Sequence, residues 1–260
     1  HFAAFKSVSE SVLNPLKYYK NNLYSLINIL AQVEKKKIKH FIFSSSCTVY
    51  GEPSKLPITE EESFKTPKSP YGYTKQIGER IIKDLIFKNT EIKSISLRYF
   101  NPIGAHESIL IGENPLDKPQ NLVPMITQTA IGKYPFLNIY GNDYKTRDGT
   151  CIRDYINVMD LADAHVSALS KLIKMNSSFY DVYNVGTGKG TSVLEVIDLF
   201  EKSNNLKLNY KFSDRRDGDV ESAYASCDKI NKELNWKAKY SLKDSLISAW
   251  NWECKINSKN

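Results

Sequence analysis

The chain has 260 residues, 41% of them hydrophobic, and a formal net charge of +7. That composition supplies the core of one or two packed domains, while no apolar run approaches the roughly 20 residues that a membrane-spanning helix needs. The positive charge is diffuse lysine, since only six of the 36 basic residues are arginine; it reads as a solvated surface and argues against a nucleic-acid partner. Cys47, Cys151, Cys227 and Cys254 show no CxxC spacing and the four histidines are scattered, so free thiols in a reducing, cytoplasmic setting are expected, with no metal site. The opening HFAAFKSVSE has no signal-peptide architecture and begins with His1, not Met, which leaves targeting by a preceding segment open.

Taken in order, the first expected element is a helix from Pro15, with Tyr19, Leu23, Leu26, Ile27 and Leu30 at helical spacing and a lysine run at its end. HFIFSSS (40–46) reads as a strand buried on both faces. After a polar loop, Ser69 and Pro70 form an N-cap and first-turn pair for a helix over 71–88, and KSISLRYF (93–100) is a second buried strand. The alternation implies an α/β fold, a doubly wound parallel sheet with right-handed crossovers. Beyond residue 102 the texture changes, and a second, smaller α/β domain is expected. Its pieces are a helix in LVPMITQTAIG, a strand in LNIYG, a short strand and a helix capped near Asp160 in DYINVMDLADAHVSALSKLI, a strand in YDVYNVG, and two terminal helices.

GTGKGTS (186–192) invites a phosphate-loop reading but does not fit GxxxxGK[ST]. A tight turn followed by a Ser192/Glu195 capping box accounts for it better. Tyr71 and Lys75 stand four residues apart, so on a helix both rise from one face. An ammonium about 6 Å from a phenol is worth roughly two pKa units at an effective dielectric of about 20, which predicts a lowered Tyr71 pKa and an acid/base role. Spacing alone favours an ordinary surface pair on an amphipathic helix. What favours chemistry is position, because Ser44–Ser46 end the preceding buried strand and ligands bind at the carboxyl ends of open parallel sheets. The sparse arginines, Arg80, Arg98, Arg147, Arg153, Arg215 and Arg216, are candidates for planar contacts to phosphate.

The blocks SSSCTVYG, YGYTK and LRYFNPIGAH, in this order, resemble extended short-chain dehydrogenases/reductases, and NDYKTRDGTCIRDYINVMDLADAH is similar to the UDP-glucose 4-epimerase family. The resemblance runs from HFAAFKSVSES to ELNW and implies a Rossmann-type cofactor domain over 1–102. A UDP-sugar-binding domain would cover 103–260, with a segment at about 151–170 returning to the first. It implies NAD as cofactor and a UDP-sugar as substrate. Ser46, Tyr71 and Lys75 would be catalytic. Phe2, Ala3, Ala4, Phe5, Lys6, Asn21 and Phe100 would join them around NAD. Asn101, Asn121, Leu122, Asn138, Ile139, Tyr140, Arg153, Arg216, Asp219 and Ala223 would join Ser46 and Tyr71 around the substrate.

By the same resemblance Tyr71 takes the C4 hydroxyl proton while hydride passes to NAD, and a 4-keto sugar turns over before hydride returns to its other face. Ser46 is followed by Cys47 and Thr48, where related dehydratases and decarboxylases usually carry an acidic residue, so epimerisation in galactose metabolism is the expected reaction. Ala223 stands where a bulky tyrosine would restrict N-acetylated sugars, so UDP-GlcNAc and UDP-GalNAc are expected substrates as well. A homodimer through the helices beginning near Pro15 and Tyr71 is implied too. One departure is large: no GxxGxxG turn occurs, and HFAAFK resembles the end of a fourth strand. The expectation is therefore that these 260 residues by themselves neither hold NAD tightly nor epimerise. The competing readings are an inactive remnant binding a nucleotide sugar or a protein partner, and another sugar-nucleotide enzyme such as a decarboxylase.

Overall fold

The computed structural model describes residues 1–88, 91–115 and 118–258. A short helix α1 (Val8–Leu13) leads into α2 (Pro15–Lys35), strand β1 (His40–Ser46), a 3-10 turn at Cys47–Tyr50, α3 (Pro70–Lys88) and β2 (Lys93–Tyr99). There follow β3 (Asn101–Ile103), α4 (Leu122–Ala130), β4 (Leu137–Tyr140), β5 (Ile152–Arg153), β6 (Tyr155–Asn157), α5 (Val158–Lys174) and β7 (Phe179–Val185). The chain ends with β8 (Thr191–Ser192), α6 (Val193–Asn204), β9 (Tyr210–Ser213), β10 (Ser222–Ala223), α7 (Asp228–Leu234) and α8 (Leu242–Asn257).

The first lobe is built on a parallel sheet in the order β1-β2-β7, with Ser46 opposite Tyr99 and Tyr99 opposite Val185. Strands buried on both faces need cover on both, and alternating side chains supply it. Phe41 and Phe43 pack with Leu26, Leu30, Ile82 and Ile86 under α2 and α3. Ile95, Leu97 and Val185 face Leu161, Ala164, Ala168 and Leu172 of α5 and Ile230 of α7. The chain therefore returns to this lobe beyond residues 151–170, because β7 lies in the sheet and α7 beneath it. No strand forms in HFAAFK among the described residues, but His1 N donates to Ile42 O at 2.9 Å and His1 O accepts from Ser44 N at 3.3 Å, the pairing of a parallel strand end beside β1.

Two expectations are corrected in detail. The buried stripe of α2 is Tyr18, Asn22, Leu26, Leu30 and Val33, while Ile27 is 46% exposed and Tyr19 is half-buried. The helix turns its polar Asn22 inward because that side chain accepts from Phe5 N at 2.8 Å and donates to Phe5 O at 3.0 Å. At α5 the cap is Asn157, whose Oδ1 accepts from Met159 N at 2.8 Å. Asp160 lies inside the first turn, buried, accepting from Lys239 N and Tyr240 N at 2.9 and 3.1 Å.

The second lobe has no large sheet among the described residues. Small ladders β10-β5-β8, β3-β6 and β4-β9 are held on α4, α6 and α8 by a core around Ile126, Leu137, Ile139, Phe200 and Leu246. Ala223 pairs with Arg153 across β10 and β5. The glycine-rich turn ends in the expected capping box, with Ser192 Oγ accepting from Glu195 N at 3.1 Å and Ser192 N donating to Glu195 Oε2 at 2.8 Å.

Candidate active site

At the carboxyl end of β1 the strand breaks into the 3-10 turn, and Ser46 caps it by accepting from Thr48 N at 3.2 Å and Thr48 Oγ1 at 3.0 Å. Helix α3 begins against this turn. Ser69 Oγ accepts from Gly72 N at 3.2 Å, and Tyr71 N donates to Ser11 Oγ at 3.2 Å. Gly72 makes the close approach feasible, because a Cβ there would lie 2.8 Å from Pro67 Cβ and 3.0 Å from Thr48 O. Tyr71 is thereby brought beside Ser46. One turn on, Lys75 is 5% exposed; its Nζ donates to Ser44 O at 2.7 Å and sits 5.7 Å from the Tyr71 ring centroid.

The electrostatics correct the simple Coulomb expectation for the phenol. Burial pushes Tyr71 up to about 12; the hydrogen bond with Ser46 pulls down and the neighbouring Cys47 pushes up, and neither overturns desolvation. Burial likewise draws the Lys75 ammonium down to about 8, opposed by the Glu79 carboxylate. An ammonium's attraction favours the phenolate, while taking it out of water disfavours it. In this pocket the second effect is the larger.

A cleft of about 880 Å³ extends from this strand end between the lobes. Phe2, Ala4, Lys6 and Phe100 line it near Ser46, Tyr71 and Lys75. Asn101, Asn121, Leu122, Asn138, Ile139, Tyr140, Arg153, Arg216, Asp219 and Ala223 line its second-lobe side. Arg216 donates to both oxygens of Asp219, Nε to Oδ2 at 3.2 Å and Nη2 to Oδ1 at 3.1 Å, and its Cζ lies 5.3 Å from the Tyr140 ring centroid. Arg153 Nη2 is 3.7 Å from the same carboxylate. Asp219 thus holds two guanidinium groups beside one wall, a donor arrangement suited to a diphosphate. The other arginines are spoken for. Arg80, Arg147 and Arg215 pair with Asp84, Glu195 and Asp143 at the surface, and Arg98 is buried against Glu79.

Ala3, Phe5 and Asn21 do not line the cleft. Phe5 packs on Tyr18, with ring centroids 5.7 Å apart, and Asn21 donates to Asn22 Oδ1 at 3.0 Å. Sequence reasoning overlooked the residue that shapes this loop, Asn22, although it adjoins Asn21. It also passed over Tyr99, which lines the cleft and donates through Oη to Ser44 Oγ at 2.9 Å. Asp154 was missed despite standing in the RDY block. Its buried carboxylate accepts from Thr187 N at 2.8 Å, Gly188 N at 3.0 Å and Ala225 N at 3.1 Å, tying the glycine turn and the segment just after β10 to the end of the strand that carries Arg153.

The family model described as GDP-mannose 4,6 dehydratase matches residues 1–248. The UDP-glucose 4-epimerase GEPI42 of Cyamopsis tetragonoloba is 48% identical over 252 residues, 97% of this chain and 71% of that protein. The chain belongs to the UDP-glucose 4-epimerase family of extended short-chain dehydrogenases/reductases. The bifunctional UDP-glucose 4-epimerase and UDP-xylose 4-epimerase 1 of Pisum sativum, also 48% identical, matches 97% of this chain and 72% of its own length. The crystal structure of UDP-glucose 4-epimerase from Bifidobacterium longum in complex with NAD+ and UDP superimposes with a TM-score of 0.95 at 44% identity, over 100% of this chain and 77% of that one. Membership in the epimerase family fits a site in which the cleft-lining carboxylates among the described residues are Glu113 and Asp219, both engaged by basic side chains and neither adjoining Ser46.

Proposed function

We propose that this chain is the catalytic and substrate-binding part of an NAD-dependent 4-epimerase of UDP-hexoses, which interconverts UDP-glucose and UDP-galactose in galactose metabolism. The observation that carries this reading is that one cleft contains both Ser46–Tyr71–Lys75 and the Arg153–Arg216–Asp219 cluster. Bound NAD would supply the hydride acceptor and donor. The nicotinamide-ribose end fits the residues present. Lys75 spends one of its three N–H donors on Ser44 O and stands among the cleft-lining residues with Phe2, Ala4, Lys6 and Phe100. The sequence offers no GxxGxxG turn for the pyrophosphate.

At neutral pH a phenol pushed up to about 12 keeps its proton, which makes Tyr71 a hydrogen-bond donor to a sugar oxygen beside Ser46. To act as base it must favour its anion, and the Lys75 charge acts in that direction. The proton moves between O4 of the sugar and Tyr71 Oη, and Ser46 holds the same oxygen in place. The UDP end is gripped by charge-assisted donors while the hexose end is left to turn. Against the dehydratase and decarboxylase readings stands the occupation of both cleft carboxylates by lysine or arginine.

Ala223 is 5% exposed and borders the cleft opposite Arg153, a small side chain at the position that by family resemblance would wall the sugar 2-substituent. UDP-GlcNAc and UDP-GalNAc are therefore included in the proposed substrate range. We also infer a homodimer through α2 and α3, supported by Leu16, Tyr24 and Phe87 at 80%, 61% and 92% exposure. Cytoplasmic residence is supported by four cysteines that are all free thiols. The decisive experiment is an NADH-coupled assay of the native protein with UDP-galactose, beside Tyr71→Phe. Turnover in the parent that the variant loses is expected; equal turnover in both would overturn the mechanism. The same assay with UDP-GlcNAc tests the Ala223 argument, which fails if UDP-glucose turns over and UDP-GlcNAc does not.

A further inference from the structure

Below the cleft, one turn past Lys75, Glu79 points into the first lobe with its side chain 4% exposed and meets Arg98 of β2 at 5%. Their contact is bidentate, Nε to Oε1 at 2.9 Å and Nη2 to Oε2 at 2.7 Å. Ser45 Oγ donates to Glu79 Oε1 at 2.5 Å. Arg98 Nη1 donates to Tyr50 Oη at 2.8 Å, Tyr50 Oη to Asn184 Oδ1 at 2.7 Å, and Asn184 Nδ2 to Ile58 O at 2.9 Å. The rings of Tyr50 and Phe64 each lie 4.9 Å from the guanidinium carbon.

Such a pair is a poor device for stability alone. Desolvating two charges cancels most of their attraction, and apolar side chains of similar volume often serve as well. What it does fix is register. Glu79 grips Ser45, which lies between Ser44, the acceptor of Lys75, and Ser46, the neighbour of Tyr71. Arg98 holds the same carboxylate to β2, immediately before Tyr99 and Phe100.

We propose that the Glu79–Arg98 pair is a positioning device for Tyr71 and Lys75, setting α3 against the serine-bearing end of β1 and holding the charge on Lys75. The proposal rests on the epimerase reading for its turnover arm only. Two effects combine in it. A slide of α3 by about 1 Å would displace Tyr71 and Lys75 from Ser46 and Ser44 together, a misplacement of the size that costs about 100-fold in rate. The charge effect is separate. The titratable groups that act on Lys75 are Tyr71 and Glu79 on its own helix and the α-amino group of His1. Glu79 is the anion among them, and it opposes the effect of burial on the ammonium.

The test uses the native protein and two variants. In Glu79→Gln, which keeps the shape and removes the charge, the ¹⁵N signal of Lys75 Nζ is expected to titrate at lower pH than in the parent, and the alkaline limb of kcat to move the same way. The double variant Glu79→Leu/Arg98→Met leaves no unpaired charge. It is expected to fold, to bind UDP as the parent does, and to lose about 100-fold in kcat with KM for UDP-galactose little changed. Parental titration of Lys75 in Glu79→Gln, or parental kcat in the double variant, would overturn the proposal. If the parent itself shows no turnover, the epimerase reading fails, and the Lys75 titration alone decides the positioning role.

Discussion

The two ends of the cleft are built on opposite principles. Ser46, Tyr71 and Lys75 stand where a buried strand meets the first turn of a long helix, and burial there is costly enough to push a phenol up to about 12 and an ammonium down to about 8. Arg153, Arg216 and Asp219 sit on a two-residue strand and an irregular loop, and the Arg216 side chain is 29% exposed. The first end tolerates unfavourable charge states in exchange for fixed geometry. The second keeps its charges paired with each other and partly in water, an arrangement able to admit a highly charged group without first paying for isolated cations. On the proposed function, rate belongs to the first end and affinity to the second.

The largest expected effect breaks the first end. Tyr71→Phe should lower kcat by 10²- to 10⁴-fold, the usual worth of a general acid/base, while UDP affinity measured by calorimetry stays at the parental value. Arg216→Ala should do the reverse. Charge-assisted hydrogen bonds are worth about 1.5–3 kcal/mol each, so KM for UDP-galactose should rise roughly 10- to 100-fold with kcat nearly unchanged. If Arg216→Ala instead lowered kcat and left KM alone, the division of labour between the ends would be wrong.

A smaller effect concerns stability. Lys75 has a folded pKa of about 8 against an ordinary 10.5. Between those values the unfolded chain binds more protons, so this group's contribution to stability rises with pH in that window, and below pH 8 its full penalty of about 3 kcal/mol applies. Lys75→Met removes the penalty and also the bond to Ser44 O, worth about 1 kcal/mol. Urea unfolding at pH 7 should therefore find the variant about 2 kcal/mol more stable and the gain gone by pH 10. A less stable variant at pH 7 would show that the ammonium is better solvated than its burial implies.

The same contrast explains what could be read from sequence. The first-lobe site was legible because its parts are local: an apolar run ending in three serines, a Ser-Pro helix start, a tyrosine and lysine one turn apart. Its energetics were not, since the cost of burying Tyr71 depends on how the end of β1 and the 3-10 turn close against it. In the second lobe the short ladders β3, β5, β8 and β10 have two or three residues each and leave no periodic signal. Arg153 and Arg216 were two among six sparse arginines until family resemblance singled them out, and Ala223 came from resemblance alone. Asn22 and Asp154 went unnoticed because their importance lies in satisfying backbone groups far along the chain, a demand visible only once the fold is closed.

The smallest effect tests where phosphate does not bind. A glycine-rich turn before a helix, GTGKGTS, is the segment that most resembles an anion cradle, yet Lys189 is exposed and does not line the cleft, and Asp154 occupies the amides of Thr187 and Gly188. A carboxylate already seated on those N–H groups leaves them unavailable to a second anion. Lys189→Ala should thus leave UDP affinity unchanged. Ser192→Ala should cost about 1 kcal/mol of stability by breaking the capping box, with kcat and KM unaltered. A loss of UDP affinity in Lys189→Ala would move the anion site from the Arg153–Arg216 wall to this turn and undo the assignment of the two ends.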